Sequence, residues 1–82
     1  MRQNIIDKIT IALQPKFLEV IDESHKHIGH VGSSPNGESH FKIIIKSQQL
    51  SKISKIQAHR KIYEILEIEL RRKIHALVIE II

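Results

Sequence analysis

The chain has 82 residues, a net charge of +4, a pI near 9.6 and no cysteine. That length suits one small domain spanning residues 1–82, near the low end of independent folding, and the lack of thiols excludes disulfide and zinc-finger frameworks. One Tyr, two Phe and no Trp leave little aromatic surface for stacking bases, whereas the basic balance invites an acidic partner, nucleic acid or protein.

Ile5, Ile6, Ile9, Ala12 and Leu13 recur at helical spacing, so residues 3–14 are predicted as an amphipathic helix. Arg2, Asp7 and Lys8 interrupt this segment, so it is neither a secretory core nor a membrane span. Pro15 ends the helix and is expected to push Gln14 toward extended geometry. Residues 16–22 read as a strand, with Leu18 and Val20 on one face and Phe17, Glu19 and Ile21 on the other. Residues 23–39 hold three glycines and Pro35 among serines and histidines. A loop of about 17 residues is long for a hairpin, and such loops are usually functional or mobile.

Residues 40–47 form the clearest strand: Phe41, Ile43 and Ile45 alternate with His40, Lys42, Ile44 and Lys46. Residues 48–53 are a connector with room for a helical turn. Ser54 is placed to cap the main helix, predicted to run to about Arg71 with Ile56, His59, Tyr63, Leu66 and Leu70 as its buried stripe. Ile65 and Ile68 fall almost opposite that stripe, where they are expected to face water. Arg71, Arg72 and Lys73 suit the negative end of the helix dipole. Residues 74–81 complete the pattern as a last strand. The order helix-strand-strand-helix-strand predicts an α/β fold. The first two strands can form an antiparallel hairpin, and the third returns through a helix as a parallel crossover does.

The blocks FLEVIDES (17–24), ESHFKI (38–43), HRKIY (59–63), LEIEL (66–70) and IHALVI (74–79) resemble the BolA-like family in the same order, over roughly residues 2–79. The resemblance implies a fold similar to the second class of KH domains, with a three-stranded mixed sheet and helices on one face. It also implies partnership with a monothiol glutaredoxin and a shared, glutathione-assisted [2Fe-2S] cluster, with none expected in the isolated, monomeric chain. Two departures stand out. Leu50-Ser51-Lys52 replaces a glycine-containing turn, and Ala58 precedes His59-Arg60 where the family often has a basic residue.

By that resemblance His75 corresponds to the metal-ligating histidine of the family. Within its strand, parity alone puts it on a face with Leu77 and Ile79, which also suits an ordinary structural histidine. The second ligand falls in the loop, with His27 placed by gapless alignment from Asp22–Ser24, His30 its close competitor and His25 third. A zinc site of His25, His27, His30 and His75 is the competing arrangement, disfavoured because structural zinc sites usually include thiolates. Neutral imidazole in place of thiolate should raise a cluster's potential and make ligation sensitive to protonation.

The resulting reading is a cytoplasmic, non-enzymatic adaptor in iron–sulfur trafficking or iron regulation. No nucleophile elbow, phosphate loop or dinucleotide fingerprint is present in the sequence. The alternative is a DNA-binding transcriptional regulator of stress response and cell morphology. Its candidate contacts are Lys52, Lys55, Arg60, Arg71, Arg72 and Lys73, the residues able to neutralise phosphates, with Lys42 in the wider basic set.

Overall fold

The computed structural model describes residues 1–23 and 40–82. The elements run α1 (Arg2–Leu13), β1 (Phe17–Asp22), β2 (His40–Lys46), α2 (Gln48–Ser51), α3 (Lys55–Ile65), α4 (Glu67–Arg72) and β3 (Ala76–Ile81). The three strands form one sheet in the order β1-β2-β3. β1 and β2 are antiparallel, with Val20 opposite Ile43. β2 and β3 are parallel, with His40 beside Ala76 and Ile43 beside Ile79. The predicted mixed topology is therefore the observed one.

Strand alternation sorts the sheet into two faces. Val20, Phe41, Ile43 and Ile45 are buried on the helix side with Ile5, Ile9 and Leu13 of α1, Leu50 of α2, and Ala58, Ile62 and Leu66 from the α3 region. Leu77, Ile79 and Ile81 of β3 pack partly against the same core. The opposite row of Lys42, Ile44 and Lys46 is half-buried to exposed.

α1 ends differently from the sequence reading. Gln14 adopts the left-handed region (φ 44°, ψ 57°), and its N–H donates to the Thr10 carbonyl at 3.0 Å. That bond closes the last turn of α1, and the left-handed Gln14 then turns the chain out of the helix into Pro15. α3 begins as expected: the Ser54 hydroxyl accepts from the Gln57 N–H at 3.1 Å, and the Gln57 side chain accepts from the Ser54 N–H at 3.2 Å. This reciprocal capping box satisfies two backbone donors.

The main helix departs from its predicted course in two ways. It breaks at Leu66 (φ −101°, ψ 19°), giving α3 and α4. Its buried side is Ala58, Ile62, Leu66 and Glu69, whereas Ile56 is 67% and Tyr63 46% exposed and His59 is half-buried. Only Leu66 of the predicted stripe is fully buried, and Leu70 packs partly against the core. Ile68 faces water as expected, but Ile65 does not, since it packs against the core.

Buried Glu69 is held by α1. Lys8 Nζ lies 3.0 Å from one of its carboxylate oxygens and 2.8 Å from the other. Burial pushes the Glu69 carboxyl up, but the Lys8 hydrogen bond, a backbone hydrogen bond and the Lys8 charge outweigh it, leaving the group below its ordinary value. A depressed carboxylate contributes stability that is present above the unfolded-state value of about 4.3 and is lost as pH falls through the lower folded value. Urea unfolding should therefore show stability falling on acidification below about pH 5, with a shallower fall in Glu69→Gln. Lys8→Ala should cost about 1–2 kcal/mol at neutral pH, because it strands a buried carboxylate while Lys8 itself is partly solvated. Equal acid slopes in wild type and Glu69→Gln would remove the ion pair from this role.

Candidate metal centre and basic surface

His75 stands in the bend between α4 and β3, and its position is set from both sides. On one side, Ile74 is buried and its N–H donates to the Glu69 carbonyl at 2.9 Å. On the other, Ala76 enters the ladder beside His40. Between these anchors the His75 side chain is exposed. Parity within the strand had put it on the core face with Leu77. The bend precedes the first ladder residue, so strand alternation does not govern His75.

His75 lies near His40, which the sequence marks only as the first position of its strand. The His40 and His75 ring centroids are 6.0 Å apart, with their planes tilted by 38°. The signal was available: each residue stands at the head of a strand, and a parallel crossover brings strand heads to one end of the sheet. His25, His27 and His30 lie outside the described residues, so their relation to His75 is not part of this geometry. The ends of their segment are placed. β1 finishes at Asp22, β2 begins at His40, and the Glu23 N–H donates to the His40 carbonyl at 2.8 Å. Both ends therefore lie at the end of the sheet where β3 begins just after His75. Among the described residues, no group of three or more His, Asp or Glu side chains is placed to hold a metal.

The six predicted phosphate-contacting residues are all exposed, but they do not share one site. Lys55 lines a groove of about 370 Å³ with Lys42, His59, Val78 and Glu80. Arg72 and Lys73 line a separate concavity with Met1, Asn4 and Ile68. Arg71 is engaged by Glu67 one helical turn earlier, at 2.6 Å. His59 is a groove residue outside the basic set that the sequence offers for phosphate binding, whereas Lys42 belongs to that set. Lys42 was visible as a basic strand position, but His59 was assigned to the wrong side of the helix.

The family model described as BolA-like protein matches residues 9–82. The chain belongs to the BolA-like family. It is 42% identical over 81 residues to the DNA-binding transcriptional regulator BolA of Haemophilus influenzae, covering 99% of this chain and 75% of that protein. It is likewise 42% identical over 77 residues to the Escherichia coli protein of the same name, covering 94% of this chain and 70% of the relative. Among solved structures, the BolA domain of SufE1 from Arabidopsis thaliana superposes with a TM-score of 0.87 at 38% identity, over 98% of this chain and 87% of that one. The BolA fold is thus shared along nearly the whole length. Among the described residues, no helix is long and apolar enough to cross a membrane.

Proposed function

We propose that this BolA-like protein is a non-enzymatic, cytoplasmic adaptor that binds a monothiol glutaredoxin and contributes nitrogen ligands to a shared, glutathione-assisted [2Fe-2S] cluster. The observation that supports this most is the exposed imidazole of His75, whose backbone is anchored by a buried neighbour and a sheet ladder at the end of the sheet where residues 24–39 begin and end. The donor chemistry fits a contributor. The chain has no thiolate, so His75 and one loop histidine supply nitrogen while glutaredoxin and glutathione supply sulfur. His27 lies four residues beyond Glu23, a reach of at most about 14 Å, and His30 is its competitor. The protein's own work is to anchor the backbone on both sides of His75 and leave its ring open to a partner.

The test is anaerobic co-purification with the host's monothiol glutaredoxin, read by visible absorption and circular dichroism. A coloured complex that forms only with glutaredoxin supports the adaptor, and a colourless mixture overturns it. Within that complex, His27→Ala should perturb the dichroism more than His30→Ala, and both more than His25→Ala. The largest change from His30→Ala would move the second ligand there.

A second reading has its own support. Bacterial relatives carry the name DNA-binding transcriptional regulator, and Lys42, Lys55 and His59 share a groove. Salt-dependent DNA binding by the isolated chain, weakened by Lys55→Ala, would favour it.

A further inference from the structure

At the end of the sheet away from His75, a buried hydroxyl has no partner. Ser47 directly follows β2 and is 3% exposed, yet among the described residues its Oγ makes no hydrogen bond. It stands at the N-cap position of α2 but its side chain caps nothing. Buried polar groups are ordinarily hydrogen-bonded, so an orphan needs a reason. Ser47 lines a concavity of about 150 Å³ with Lys16, Lys46, Gln48, Ser51 and Ile82. The Lys16 N–H donates to the Lys46 carbonyl at 2.8 Å, so both lysines spring from the strand ends beside Ser47. Both are exposed, and among the described residues neither is in an ion pair. The concavities at Lys55 and at Arg72 each include a carboxylate residue, Glu80 and Glu69. No Asp or Glu lines this one.

We propose that Lys16, Lys46 and Ser47 form a site for one phosphoryl dianion, free as inorganic phosphate or carried by a small phosphate monoester. Two ammonium groups match a phosphoryl charge of about −1.5 to −2 at neutral pH better than they match the single charge of a carboxylate. Lysine holds phosphate as a point charge, so the two side chains close on it without a fixed fork. The Ser47 hydroxyl donates to one phosphate oxygen. Its Oγ has less than 1 Å² of exposed surface, so binding includes a rotation about the Ser47 Cα–Cβ bond. The concavity is smaller than the roughly 300–1,000 Å³ of sites for drug-sized ligands, which limits recognition to a single group. The site rests on neither the cluster nor the DNA reading, because it uses neither His75 nor the groove at Lys55.

The experiment titrates sodium phosphate, and separately glycerol 3-phosphate, into the full chain at neutral pH, against sodium chloride of matched ionic strength. Amide ¹H–¹⁵N spectra locate the binding, and thermal unfolding reads it independently. The amides of Lys16, Ser47 and Ser51 should shift along one saturable curve that chloride does not reproduce, and the thermal midpoint should rise with phosphate. Lys16→Ala and Lys46→Ala should each weaken binding about tenfold, the loss expected when a charged hydrogen-bond partner is removed. Ser47→Ala should weaken it too, yet unfold no lower than wild type in chloride, because an unpaired hydroxyl has no bond to lose. Tighter binding of glycerol 3-phosphate than of phosphate identifies a monoester as the source, and equal or weaker binding identifies the free ion. Shifts that grow linearly with phosphate, or that chloride reproduces, would leave only screening of two surface lysines and overturn the site. Undiminished phosphate affinity in Ser47→Ala, or a lower midpoint for that variant in chloride, would overturn it as well. So would a response of these amides to duplex DNA with none to phosphate. The wild-type titration makes the test independent of how any variant folds.

Discussion

His75→Ala is expected to fold normally and to lose or change the circular dichroism of the cluster complex formed with glutaredoxin. The two halves of this result have different causes. Normal folding follows from exposure. The side chain lies in a bend outside the core, whereas the neighbouring Ile74 carries the local burial. Surface substitutions of this kind shift stability by no more than about 0.5 kcal/mol, a change of about 2–4 °C in the thermal midpoint of a domain this size. The spectral loss follows from the proposed role, in which the His75 imidazole would be a direct nitrogen ligand of the shared cluster. Changes to groups that merely orient a ligand already cost about 10–100-fold in metal affinity, so deletion of the ligand should cost at least as much. A wild-type cluster spectrum in a well-folded His75→Ala would sink the ligand assignment. His59→Ala is the matched control. His59 sits on α3 in the groove with Lys42 and Lys55, and its loss should leave the spectrum unchanged.

Sequence and structure agree where local chemistry and strand alternation act together. Phe41, Ile43 and Ile45 read as one face because a strand has a period of two, and no alternative phase satisfies them. Ser54 with Gln57 three residues later carries its own instruction for a helix start. The mixed sheet follows from a hairpin followed by a helical return. Legibility fails where tertiary partners decide. Glu69 carries no local signal of burial, because its buried environment depends on Lys8, 61 residues away in sequence. Gln14 is expected to be extended by the rule for residues before proline, but as the residue that ends α1 it takes the left-handed cap conformation instead. The candidate site was half legible. His75 stood out through its family-like motif, but its pairing with His40 depends on the register of two strands more than thirty residues apart. The loop histidines lie outside the described residues, so their part in the site still rests on the sequence.

The second large effect concerns the side that the main helix turns to the core. Two stripes of helical spacing compete between residues 54 and 72. One is Ile56, His59, Tyr63, Leu66 and Leu70. The other is Ala58, Ile62, Leu66 and Glu69, with Ile65 beside it. They share Leu66, and the first is richer in large apolar side chains, which is why sequence alone favours it. The structure buries the second, and the break at Leu66 lets α4 turn Glu69 inward to Lys8. Ile62 has no exposed surface and lies within the core cluster. Ile62→Ala should therefore cost about 2–5 kcal/mol, as buried Ile or Leu truncations do. For a small domain with total stability near the low end of about 5–15 kcal/mol, that change brings the protein close to unfolding at 37 °C. Ile56→Ala and Ile68→Glu, on exposed positions, should each stay within about 0.5 kcal/mol. Ile65→Lys should fall between these limits, because Ile65 packs partly against the core. Urea unfolding of the four variants separates the two stripes. If Ile56→Ala proves more damaging than Ile62→Ala, the helix turns its other side inward, and the groove that contains Lys55 and His59 is rebuilt with it.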